Sequence, residues 1–177
     1  MQQLDVQVQS QEGRLDVLES GQFSGNLHVD GSAEFEGNLT VQGIATLSEL
    51  IVVGNTTLKQ LTVDRIISHG DVPAAVLGAT TGLSATASVT GNDTAGKIEY
   101  VAGTQTLPTH PLGAGEQVTV NFHEAYAAAP TVTLTPTSEK AASVRYYVTQ
   151  TVDGFKLVFL DTPLAGETYS FNYQVIQ

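Results

Sequence analysis

The chain has 177 residues, with 7 Lys or Arg against 18 Asp or Glu, a formal charge of −11 and 14% charged residues in all. That balance argues against nucleic acid and against anionic membrane surfaces, both of which select clustered cations. The lack of cysteine excludes disulfides and thiolate metal sites, and no apolar run is long enough to be inserted across a bilayer.

Gly, Thr, Val and Ala abound, as in all-β proteins, and the length suits one or two small domains. The polar, acidic residues after Met1 are unlike a secretory leader. The first element, over residues 1–20, nevertheless reads as a helix. Met1, Leu4, Val8, Gln11, Leu15 and Leu18 are spaced 3, 4, 3, 4, 3, the a/d seam of a coiled coil. Two or three heptads are too few to hold helices together in water, so the seam needs a downstream element that keeps partner chains close. Gln11 falls on a d position, where a buried polar layer fixes register and chain number. Gly21 stands where a helix C-cap is expected.

Over residues 21–70 the period changes to two, inside a longer repeat. Gly25-Asn26-Leu27-His28-Val29-Asp30-Gly31 lies over Gly37-Asn38-Leu39-Thr40-Val41-Gln42-Gly43, and further copies begin at Glu49 and Gln60. Leu27, Leu39, Leu50 and Leu61 step by 12, 11 and 11, and Val29, Val41, Val52 and Val63 keep the same steps. Phe35, Leu47 and Leu58 close the first three copies on the same apolar face. The intervening positions are mostly polar, so each copy has one dry and one wet side. Stacked short repeats share a continuous core. One copy spans roughly 40 Å when extended, yet it offers two short apolar runs, too little perimeter to enclose a core alone. Three chains wound together solve this, each supplying one side per level. The expectation is an intertwined, triple-stranded β-helix shaft whose trimer core is the Leu, Val and Phe stripe.

Residues 68–73 read as a joint, with Pro73 stopping regular pairing, and residues 74–87 as small and loop-rich. The remainder, 71–177, has the size of an antiparallel β-sandwich head. Strands are predicted at 85–90, 97–102, 117–122, 131–135, 144–152, 155–160 and 168–176. Asp153-Gly154 marks a hairpin. With Phe155, Leu157 and Phe159 facing a core, Val158 and Leu160 face out, as an apolar head subunit contact.

Catalytic chemistry has no constellation to rest on. His28, His69, His110 and His123 form no H-x-H or H-E-x-x-H pair. His69 is a weak metal candidate, since it takes the inward repeat position of Phe35, Leu47 and Leu58 and three copies would meet at an axis. Asn92-Asp93 reads as a turn. No phosphate loop or nucleophile elbow is present, and no cofactor is expected. Binding is better served. The 14-residue connection 103–116 exceeds the roughly 12 residues beyond which loops are usually functional or disordered, and it carries Leu107, His110 and Leu112. A second connection, 137–143, leads to Arg145 and Tyr147, side-chain types common at binding hot spots.

A heptad helix, G-N-L-x-V-x-G repeats and a β-rich head, from Gly91-Asn92-Asp93-Thr94-Ala95-Gly96 to Phe171-Asn172-Tyr173, together resemble bacteriophage tail fibres and related trimeric receptor-binding fibres. The resemblance spans the whole length in architecture. It implies a mainly β homotrimer, on a virion tail or an extracellular surface, whose heads bind a host receptor or glycan and whose other end joins an upstream tail or baseplate protein. The chain departs from tailspike enzymes, which carry a longer solenoid with catalytic carboxylates in a groove. A non-enzymatic fibre is therefore expected, with a cellular surface filament and a carbohydrate-cleaving tailspike as alternatives.

Overall fold

The computed structural model describes residues 29–177. The heptad positions Leu4, Val8, Gln11, Leu15 and Leu18, together with Leu27 and His28, lie outside the described residues. The chain divides into two units, Met1–Lys59 and Gln60–Gln177.

Residues 29–73 of one chain contain no strand or helix. The repeat stripe is left uncovered there: Val29, Phe35, Leu39, Val41, Leu47, Leu50, Val52, Leu58, Leu61 and Val63 are each 46–69% exposed. Burying such side chains is worth about 1.5–3 kcal/mol each relative to exposure, and a single chain forgoes about half of it.

Eight strands and one short helix follow: β1 (Ala74–Leu77), β2 (Thr86–Gly91), β3 (Ala95–Val101), β4 (Gly115–Asn121), β5 (Thr131–Pro136), α1 (Glu139–Ser143), β6 (Tyr146–Thr151), β7 (Gly154–Phe159) and β8 (Thr168–Ile176). They form two antiparallel sheets, ordered β1-β4-β7-β6 and β2-β3-β8-β5. Period-two alternation gives each sheet one apolar face. Val118, Val120, Phe155, Leu157 and Phe159 come from the first sheet, and Ile98, Tyr100, Tyr169, Phe171, Tyr173 and Val175 from the second; all are buried in one core. Aromatic rings join the layers. Phe159 meets Tyr100, Tyr169 and Phe171 at centroid distances of 6.0, 5.1 and 6.2 Å, and Phe155 meets Tyr173 at 5.6 Å.

Four expectations change. Residues 74–87 do not stay loop: β1 pairs with β4, from Ala74 beside Asn121 to Leu77 beside Val118. Pro73, buried, precedes a strand instead of ending one, a position where its missing N–H costs no ladder bond. Connection 137–143 contains α1, capped by Ser138, so the next strand begins at Tyr146 and not at 144. The β6–β7 hairpin turns at Val152-Asp153, because Gly154 is already paired with Thr151. A Cβ on Gly154 would lie 2.1 Å from the Val120 carbonyl oxygen, so the neighbouring strand requires glycine there.

Register sets the two ends of this sandwich. Residues 68–73 enter at the end that also holds the 92–94 turn, residues 122–127 and Gln177. Asn92 organises that end: its Oδ1 accepts from the Thr94 and Ala95 N–H groups (2.9 and 3.1 Å), its Nδ2 donates to Ser68 Oγ (3.2 Å), and its carbonyl accepts from the Tyr173 hydroxyl (2.6 Å). Asp93 accepts from the backbone N–H groups of His123 and Glu124. The connections 78–85, 102–114, 137–145 and 160–167 gather at the opposite end.

Candidate functional site

The far end is a stitched platform. Isolated bridges join Thr81 to Leu112 and Leu83 to Gln105, and a third, between Leu107 and His110, closes the tip. Gly103 N–H donates to the Thr81 carbonyl (2.8 Å) and Ala102 N–H to the Glu167 carbonyl (3.0 Å). Connection 103–116, expected as a long loop with a semi-rigid contact surface, is thus a tied one. Leu107 and His110 remain exposed at its tip, and Thr109 Oγ1 lies 3.0 Å from His110 Nδ1. Leu112 is half-buried and packs against the core, so it offers less contact surface than its sequence position suggested.

The other predicted residues meet on one corner, where the outer face of the first sheet reaches the platform. Arg145 is held by Asp161 through Nε (3.1 and 3.2 Å) and Nη2 (2.5 Å), and Arg145 N–H also donates to that carboxylate. These bonds hold the Asp161 carboxyl below, and the Arg145 guanidinium above, its ordinary range. Tyr147 pairs across strands with Val158, and Leu160 N–H donates to the Arg145 carbonyl (2.8 Å). Tyr147 and Leu160 are about half exposed, and Val158 is half-buried between them and Glu116.

Beside this corner lies a set of residues that sequence reasoning missed. Lys156, the wet-face residue of β7, donates to Glu116 (2.7 Å), which also accepts from Thr119 Oγ1 (2.6 Å). The Lys156 bond, then the Thr119 bond, lower the Glu116 pKa against a smaller opposing effect of burial. The contact depends on a bulge between Glu116 and Val118 that turns Gln117 inward and leaves Glu116 and Thr119 both outward. Alternation in the sequence places Lys156 outside, but only the register brings it to Glu116.

A separate hollow of about 430 Å³ opens at the entry end, lined by His69, Asp71, Asp93, His123 and Tyr126 among others. His123 Nε2 lies 3.1 Å from Asp71 Oδ2. Among the described residues of one chain, no group of three His, Asp or Glu side chains is placed to hold a metal ion, and His69 has no such ligand set among them.

No family model matches the chain, and neither a curated protein nor a solved structure matches it.

Proposed function

We propose that the protein is a homotrimeric fibre protein, structural and adhesive in role, whose C-terminal sandwich heads bind a receptor or polysaccharide on a host surface. The observation that carries this reading is the uncovered stripe of ten Leu, Val and Phe side chains repeating every 11 or 12 residues. A regular apolar face this long is a demand for other chains. Three copies, wound about one axis, give each level a dry interior and leave no open strand edge. The heptad seam upstream makes the same demand.

The heads supply contact and the stem supplies multiplicity. Three modest sites on one stem raise apparent affinity through effective concentration, with no single strong contact needed. The stitched far end of the sandwich supports this reading, because residues already fixed in place lose little entropy on binding.

Amine-reactive or photo-induced cross-linking of the full chain tests the assembly. The expected product is a ladder that stops at three chains, and it collapses to one when Leu39 and Leu50 are changed to Asp. A ladder that continues beyond three, or a product that never exceeds one chain, contradicts the reading.

A further inference from the structure

We infer that the outer face of the β1-β4-β7-β6 sheet, around Tyr147 and Lys156, is a binding site for a neutral oligosaccharide. The inference rests on the adhesive reading of the head and names the site and the chemical class of its ligand.

Register lays out this face as three rows across β4, β7 and β6. They are Glu116–Val158–Tyr147, Thr119–Lys156–Thr149 and Asn121–Gly154–Thr151. At ordinary strand spacing and rise the array covers about 10 Å by about 14 Å, the footprint of a short oligosaccharide. A shallow hollow of about 130 Å³ beside Gly154 is lined by Thr119, Asn121, Thr149, Thr151 and Lys156. Tyr147 is the most exposed aromatic ring of the head, at 47%, and stands at the edge of the array beside Val158. Sugars present an apolar C–H face and a rim of hydroxyls. An exposed ring answers the first, and amide, hydroxyl and ammonium groups answer the second. The Asn121 carboxamide and the Thr149 and Tyr147 hydroxyls have no partner among the described residues, and so are available to a ligand.

Charge decides the class. The head carries four Lys or Arg residues from Pro73 onward, and each is paired: Lys97 with Glu99, Lys140 with Glu167, Arg145 with Asp161 and Lys156 with Glu116. None is left for a carboxylate, sulfate or phosphate, and a chain of formal charge −11 repels anionic polymers at long range. A neutral glycan meets neither obstacle. The same pairing argues against a second protein chain here, since the Lys156–Glu116 pair sits in the middle of the face and interface centres are depleted in charged residues.

The full-length protein is to be probed on an immobilised array of neutral hexose oligosaccharides, with sialylated and phosphorylated ones alongside. Neutral ligands are expected to bind, with little dependence on salt. Tyr147→Ala is expected to weaken binding about tenfold or more and Thr149→Val to weaken it less. Thr133→Val, on the outer face of the other sheet, leaves it unchanged. Binding of acidic glycans alone, or neutral binding that survives both Tyr147→Ala and Thr149→Val, overturns the inference. So does a fall in assembled mass on Tyr147→Ala, which makes the face a subunit contact. Two outcomes separate this inference from the reading beneath it. Binding abolished by Leu107→Ala but not by Tyr147→Ala keeps the adhesive head and removes this site. Tyr147-dependent glycan binding by a protein of single-chain mass keeps the site and removes the fibre.

Discussion

Gln117 has its whole side chain inside the sandwich, and every polar atom on it is used. Nε2 donates to the Gly113 and Gly115 carbonyls (2.9 and 3.0 Å), and Oε1 accepts from the Tyr100 hydroxyl (2.8 Å). Replacing it with leucine removes the donor to two carbonyls and leaves the Tyr100 hydroxyl only the longer bond to the Thr81 carbonyl (3.4 Å), so Gln117→Leu is expected to cost about 1–3 kcal/mol in urea unfolding. The pair Gln117→Leu with Tyr100→Phe is expected to cost less than the sum of the single changes; strict additivity contradicts the network. The tyrosines also set an alkaline limit. Burial first, then the nearby Asp93 charge, pushes the Tyr173 phenol up to about 12, and burial raises Tyr100 and Tyr146 as well. A phenol in the unfolded chain ionises near pH 10. The stability these groups confer is therefore fully present below about pH 10 and lost as pH rises towards about 12. Tyrosinate absorbance should rise together with loss of the circular dichroism of the fold. Smooth ionisation of all six tyrosines with the fold intact contradicts this.

At the scale of elements, α1 shows how a short segment is held by its ends. Ser138 Oγ accepts from the Ala141 N–H (3.2 Å) and the Ser170 N–H (3.1 Å), so one hydroxyl caps the helix and ties it to β8. Ser138→Ala is expected to lower stability by about 0.5–2 kcal/mol, read as a shift in the thermal midpoint; no shift contradicts the role of the cap. Such a helix was not legible in the sequence, because five residues are too few to show a 3.6-residue period. Strand β8 was legible to its ends, since Tyr169, Phe171, Tyr173 and Val175 alternate without interruption. Strand β1 was not, because Ala-Ala-Val-Leu on a sheet edge carries no alternation to read. The candidate site divides the same way. Tyr147, Val158 and Leu160 break the wet-outside pattern within their own strands and could be found there. Glu116, Thr119 and Asn121 join them through a bulge and a pairing register, which are properties of two strands at once. The ties of connection 103–116 were not legible, because two of its three bridges are made across the fold and leave no local mark.

For the whole molecule, the account turns on which face of the repeats is dry. Leu50→Asp places a carboxylate on the inward stripe, where burying an unpaired charge costs far more than one apolar contact contributes, and is expected to abolish assembly. Thr40→Asp, on the wet face of the neighbouring repeat, is expected to leave it intact; equal effects of the two changes contradict the assignment of faces. In the proposed trimer the dry side is covered by the other two chains; no segment among the described residues of one chain covers it. The mass of the purified full-length chain in solution, measured by light scattering over a wide concentration range, tests this most directly. The account predicts a discrete particle of three times the 18.6 kDa chain mass, independent of dilution. A well-folded particle of a single chain mass contradicts it.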